Sequence, residues 1–297
     1  MLIDGVGLTT SKTPVRGTIV TVNGWTCKMK YWGRLDPLSE IGYERFNFET
    51  KGHACPNHFR KLASELAKKL QEYGIHNPHL VVHSMGGLTA IAYLNLVKEP
   101  GYEDIRPASL TLVTPVLSDP KEMLPRGNLV LDAASAFTRW RIARVIRSIE
   151  DNGAPGECNE ERSHRRIRTT LGLFQIASPL LFMYTGADKR INEVFANFLR
   201  EAKTNDRVST LMELYAMCTE GPELKQKLLT RDIWIPPKVL FVGGRHDLFV
   251  DAEASARIVM AALDGHTELR IKVMKNAGHF PFLEVPEQFN AELPLRV

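Results

Sequence analysis

Val81-Val82-His83-Ser84-Met85-Gly86-Gly87-Leu88-Thr89-Ala90 decides the fold of this 297-residue chain: an apolar strand runs into a serine, and small residues open a helix at once. So sharp a turn projects the serine hydroxyl above the end of a sheet. Gly86 and Gly87 stand where strand and helix backbones approach too closely for side chains. The helix N-terminus that follows favours developing negative charge. Alone, the stretch reads equally well as a Ser-Gly-Gly turn without chemistry, because short motifs match by chance.

Outward from this stretch, short apolar runs ended by turn residues alternate with helical patterns. The strand candidates are Thr18 to Val22, Tyr43 to Phe48, His79 to His83, Ser109 to Val113, Lys238 to Val242 and Leu269 to Met274. That alternation predicts a mostly parallel sheet with helices on both faces. Phe59 to Tyr73 sets Leu62, Leu66, Leu70 and Tyr73 on one stripe, as a crossover helix would. From 118 to 232 the sequence reads as helices joined by breaks such as Asp151-Asn152-Gly153-Ala154-Pro155-Gly156. The expected organisation is a core of residues 1–117 and 233–297 carrying a helical cap, 118–232.

Two further strand ends carry chemistry. Val239-Leu240-Phe241-Val242-Gly243-Gly244-Arg245-His246-Asp247 places a carboxylate just past a buried strand, where sites collect in open parallel sheets. By itself such an Asp is usually a cap. Asn276-Ala277-Gly278-His279-Phe280-Pro281 places a histidine in the loop after the last strand. Nucleophile, acid and base then run Ser84, Asp247, His279, an order unlike that of chymotrypsin or subtilisin. A serine hydroxyl needs an adjacent imidazole to take its proton, and the acid orients that imidazole. Asp119, past the Ser109 to Val113 strand, is a weaker acid candidate, and Cys55 a weaker nucleophile.

Composition narrows the function classes. Lys+Arg 38 against Asp+Glu 34 leaves a formal charge of +4, too small to argue for nucleic acid. The cysteines at 27, 55, 158 and 218 form neither a CxxC pair nor a disulfide framework, which fits a reducing compartment. Without an apolar leader or a run of about 18 apolar residues, the expectation is a soluble, cytoplasmic protein with no membrane span. The remaining histidines show no metal-ligand spacing, so neither a metal nor an organic cofactor is expected.

With these residues in order, the chain resembles the serine hydrolases of the α/β-hydrolase superfamily over most of its length outside the insertion. Asn23-Gly24-Trp25 is similar to that family's oxyanion loop, with Asn23 in place of the usual histidine. Glu49-Thr50-Lys51-Gly52-His53-Ala54 is similar to its Asp-x-Arg-Gly-x-Gly turn, with Ala54 in place of the last glycine, and Val82 replaces the first glycine of G-x-S-x-G. The resemblance implies that the backbone N–H groups of Met85 and Trp25 hold the oxyanion. It also implies a trimmed N-terminal edge, where Leu2 to Leu8 leave room for one short strand at most.

The insertion is rich in arginine. In Ala134 to Glu150, Phe137, Ile142, Val145, Ile146 and Ile149 form an apolar face, with Arg139, Arg141, Arg144 and Arg147 over the rest; Arg162, His164, Arg165, Arg166 and Arg168 follow. A solvated face paired with Glu150, Glu157, Glu160 and Glu161 is one reading. The other is an anion-binding surface, with Arg141, Arg144, Arg165 and Arg166 on the substrate. Here the chain resembles the pimeloyl-acyl-carrier-protein methyl esterases of biotin synthesis. That resemblance implies a methyl ester on an acyl chain borne by acyl carrier protein. Gly244-Arg245-His246-Asp247 and Gly278-His279 also resemble C–C bond or lactone hydrolases, and a ligand-binding protein that keeps the triad is the reading from another class.

Overall fold

The structure is a computed structural model and describes residues 2–3, 6–9, 16–25, 27, 29–49, 57–125, 129–151, 165, 167–173, 176–177, 186–203 and 207–295. Strands β1 to β8 form one sheet in the order β1-β2-β4-β3-β5-β6-β7-β8. Six are mutually parallel: β3 (Gly17–Val22), β4 (Tyr43–Phe48), β5 (His79–His83), β6 (Ser109–Val113), β7 (Lys238–Gly244) and β8 (Glu268–Met274). These are the six apolar runs of the sequence, with ends differing by a residue or two. β6 is buried throughout, as the continuous run Ser-Leu-Thr-Leu-Val requires of a strand covered on both faces. β3 lies between β4 and β5, so the strand order reverses there and a crevice opens beyond the C-terminal strand ends.

The N-terminal edge corrects one expectation. Two short strands are present, β1 (Leu2–Ile3) and β2 (Val6–Thr9), paired antiparallel to each other and, through β2, to β4. The edge is trimmed in strand length rather than reduced to a single strand.

Helix α1 (His58–Glu72) buries Phe59, Leu62, Leu66 and Leu70 and packs on α2 (Gly86–Val97). Tyr73, the last residue of the predicted stripe, lies at the C-cap and is 36% exposed. The N-terminus of α1 is capped from a distance. Asn57 makes no side-chain cap bond, and the carboxylate of Glu220 instead accepts the N–H groups of His58 and Phe59 at 2.8 and 3.1 Å.

The described residues between β6 and β7 contain helices and no strand: α3 (Pro120–Met123), α4 (Leu129–Glu150), a helical stretch at 167–173, α5 (Lys189–Ala202) and α6 (Arg207–Leu229). α6 also packs on α1 and α2. α4 starts earlier than its apolar pattern suggested, and its buried face holds Ser135, Thr138, Val145, Ile146 and Ile149. Phe137, expected on that face, is 42% exposed and lies 5.9 Å from Trp140. Thr138 is buried without leaving its hydroxyl unsatisfied, since it donates to the Ala134 carbonyl within the helix.

Past β7 and β8 the two following loops pack backbone against backbone at Gly244. A Cβ on Gly244 would run into the carbonyl of Gly278. Gly244→Ala is therefore expected to lower the thermal midpoint markedly, whereas Gly172→Ala, in an uncrowded helical position, should leave it unchanged or raise it. Equal midpoints for the two variants in a thermal melt would contradict this packing.

Candidate active site

Ser84 follows β5 directly and adopts φ 53°, a left-handed conformation that costs a non-glycine residue about 1–3 kcal/mol. The surrounding backbone holds it there: its N–H donates to Val113 O at 3.0 Å, and its carbonyl accepts from Gly87 and Val116, each at 2.9 Å. The Asn23-Gly24-Trp25 loop sits hard against it. A Cβ on Gly24 would lie 2.7 Å from Ser84 Cβ, and one on Gly86 would lie 2.9 Å from Val22 O. Glycine at both positions lets loop, strand and helix meet.

Asp247 lies in the loop after β7 and His279 in the loop after β8. His279 Nδ1 donates to Asp247 Oδ2 at 2.8 Å, and both side chains are buried. The other carboxylate oxygen accepts N–H bonds from Phe249 and Val250 at 2.7 and 3.0 Å. Since a carboxylate only accepts, Nδ1 is the donor in this bond, and the tautomer it selects presents Nε2 as an acceptor. His279 and Ser84 line the same cavity.

Three buried side chains outside the expected set hold the His279 loop. His83 Nε2 donates to the His279 carbonyl at 2.8 Å, and Thr114 Oγ1 donates to the same oxygen at 3.0 Å. Burial keeps His83 neutral by holding its pKa well below the ordinary value, and the neighbouring His279 adds to that. Its Nδ1 faces the half-buried Cys27 thiol at 3.7 Å. The third is Glu284, whose Oε2 accepts the Gly278 N–H at 2.5 Å. In the sequence His83 reads only as a strand residue that packs beside the site. The one available hint of Glu284 is a carboxylate shortly after the histidine.

The backbone N–H groups of Met85 and Trp25, the expected oxyanion donors, donate to no acceptor among the described residues. The Trp25 indole donates to Thr210 O at 3.2 Å, tying this loop to α6, and Asn23 accepts from the Trp32 indole at 2.6 Å. Of the three described arginines among the four expected on substrate, only Arg141 lines the cavity of Ser84 and His279. Arg144 is exposed, 5.1 Å from the Trp140 ring, and Arg165 is exposed. Arg166 lies outside the described residues, as do Thr50 to Ala54 and Cys55. Asp119 is engaged elsewhere: it caps α3 by accepting the Lys121 N–H at 2.9 Å and pairs with the Lys121 ammonium. It is no rival to Asp247 here.

Among the described residues, no helix is long and apolar enough to cross a membrane, and no group of three or more His, Cys, Asp or Glu could hold a metal ion.

A family model described as "Alpha/beta hydrolase family" matches residues 19–292. Solved structures share the fold along nearly the whole chain. An esterase from Exiguobacterium antarcticum has 17% identity and TM-score 0.64, covering 97% of this chain and 92% of that one. A thermophilic esterase from Thermogutta terrifontis has 16% identity and TM-score 0.62, covering 96% and 90%. The enol-lactonase from Burkholderia xenovorans has 15% identity and TM-score 0.61, covering 96% and 93%. No curated protein matches by sequence.

Burial pushes the Glu284 carboxyl from an ordinary 4.5 to about 8; the Gly278 N–H bond opposes this, and the Asp247 carboxylate adds to the rise. Between those values the folded state keeps a proton that the unfolded state releases, so stability from this group falls as pH rises through the window. The thermal midpoint of the wild type, measured against Glu284→Gln, should therefore drop from pH 4.5 to about 8. Parallel pH curves for the two proteins would show that Glu284 does not titrate this way.

Proposed function

The chain belongs to the alpha/beta hydrolase family, and on that premise we propose that it cleaves carboxylic esters through an acyl-serine intermediate. The observation that carries this reading is the cavity shared by Ser84 and His279, with His279 bonded to Asp247 behind it. Ser84 Oγ attacks the ester carbonyl carbon while its proton passes to His279 Nε2. The oxyanion turns to the N–H groups of Met85 and Trp25, each donor contributing roughly 3 kcal/mol. Asp247 stabilises the imidazolium. Collapse expels the alcohol, which takes the proton from His279, and water repeats the sequence to release the acid. A neutral, buried His83 does not compete for that proton.

Ser84→Ala should abolish both p-nitrophenyl ester hydrolysis and labelling by a fluorophosphonate, and Asp247→Asn should lower kcat by about 10⁴. Undiminished turnover in Ser84→Ala would sink the assignment. A lactone is an internal ester, so the same steps would open one, and the enol-lactonase neighbour keeps that substrate in view. A series of p-nitrophenyl esters, methyl esters and lactones separates these substrates from C–C bond cleavage, and absence of labelling at Ser84 would favour a binding protein.

The finer reading is a methyl ester on an acyl chain presented by acyl carrier protein, an acidic partner. Its support is the basic surface of the region between β6 and β7, which we propose acts as a cap (118–232), where Arg144, Arg147, Arg165 and Arg168 are exposed. Free acyl carrier protein should compete with substrate, and Arg144→Glu with Arg165→Glu should weaken that competition. Indifference to both changes would point to a small substrate.

A further inference from the structure

The cavity at Ser84 holds about 110 Å³, against the ~150 Å³ pocket that takes up benzene, a molecule of six carbons, in an engineered core. In that proportion it takes an aliphatic chain of about four carbons. Most of its wall is apolar, with Val116, Met123, Val145, Leu214 and Met217 among the lining residues. A second cavity, of about 10 Å³, is lined by Pro125, Leu131, Ala134, Ser135 and Leu248. Among the described residues, Leu124 and Thr138 are the two that line both cavities. They are the partition between them. Neither Ser84, Asp247 nor His279 lines the small cavity, so a chain that starts at Ser84 reaches it only past Leu124 and Thr138.

Both partition residues are buried, and both are held in place. Leu124 follows α3 directly, and the carbonyl of Met123 just before it accepts the Asp251 N–H at 2.6 Å. That bond ties the turn to the segment after Asp247. On α4, Thr138 donates its hydroxyl to Ala134 O at 2.8 Å, and Ser135 donates its own to Pro125 O at 2.6 Å. With those protons committed and leucine, proline and alanine around them, the small cavity offers a chain mainly apolar contact. Its volume is about that of one water-sized probe, too little for any chain while Leu124 keeps its place.

The acyl group is the part of an ester that stays bonded to Ser84 while the alcohol leaves and water arrives. A pocket closed by a partition suits the group that stays. Resting on the ester-hydrolase reading, we infer that the acyl chain lies in the cavity at Ser84 and that Leu124 is the residue that limits its length. Substrates are then esters of short aliphatic acids, with about four carbons beyond the carbonyl. A longer chain meets a buried leucine in a packed wall, and overpacking costs more than the added methylenes return. A chain that instead left the cavity for solvent would not sense Leu124.

The test compares kcat/KM for p-nitrophenyl acetate, pentanoate and octanoate in the wild type, in Leu124→Ala and in Leu124→Ala combined with Ala134→Leu. The wild type should favour pentanoate over octanoate by about tenfold or more. Leu124→Ala removes three carbons, the difference between those two chains, and joins the cavities; the octanoate-to-pentanoate ratio should rise about tenfold. Ala134→Leu refills the small cavity and should return the ratio toward the wild-type value. Should Leu124→Ala fail to fold, Leu124→Val makes the same comparison with hexanoate in place of octanoate. Turnover of octanoate equal to that of pentanoate in the wild type would overturn the inference. So would an unchanged ratio in Leu124→Ala, or a gain there that Ala134→Leu does not reverse. Failure of the underlying reading looks different: no ester is hydrolysed at all, and a fluorophosphonate does not label Ser84.

Discussion

The hydrogen bond from His279 Nδ1 to Asp247 Oδ2 joins the loops that follow β7 and β8, and the register of β7 against β8 makes it possible. The two strands stay paired to their ends, Gly243 opposite Val273 and Gly244 opposite Met274. Beyond them the loops continue to zip: Arg245 N–H donates to Met274 O and His246 N–H to Ala277 O. Gly244 and Gly278 permit the backbones to touch. The histidine is fixed from the other side as well, because His83 at the end of β5 and Thr114 just past β6 both bond its carbonyl. His279, Asp247 and Ser84 are thereby referred to one rigid sheet, and the ring orientation follows from hydrogen bonds that leave Nε2 as the acceptor.

The sheet also supports strain. Ser84 at φ 53° and Thr114 at φ 41° follow adjacent strands and hold backbone conformations that only glycine adopts readily. Thr114 N–H donates to Val242 O at 2.7 Å, so each strained residue is tied to the next strand. Leu80, Val81, Val82, Leu110, Leu112 and Leu240 are buried beneath them, and burial of such side chains, worth about 1.5–3 kcal/mol each, is what offsets the distortion.

The strand-end residues and the cavity wall come from different parts of the chain. The strand ends supply Ser84, Asp247 and His279, whereas α4, α6 and the 167–173 stretch supply most of the lining through Arg141, Val145, Leu214 and Met217. The bond from the Trp25 indole to Thr210 O couples the two parts at the Asn23-Gly24-Trp25 loop. The arginines of the insertion divide accordingly, Arg141 to the cavity and Arg144 and Arg165 to the surface. Reading them as one cluster hides that division, since residues three apart on a helix point about 60° apart and residues in different elements share no face.

What the sequence by itself determined is whatever depends on local period and order along the chain. The six parallel strands, the buried stripe of α1 and the strand-end positions of Ser84, Asp247 and His279 all follow from apolar runs and the turn residues that end them. Tertiary structure alone decided the rest, because the partners lie far apart in the chain. Glu220 caps α1 across 162 positions, His83 reaches His279 across 196, and no local pattern encodes such pairings. Ser135 and Thr138 can be buried while Phe137 is exposed, since their hydroxyls donate to backbone carbonyls, which an apolar stripe does not register. Even β1 and β2 are legible only in place, since two and four residues become strands when a neighbouring edge supplies their hydrogen bonds.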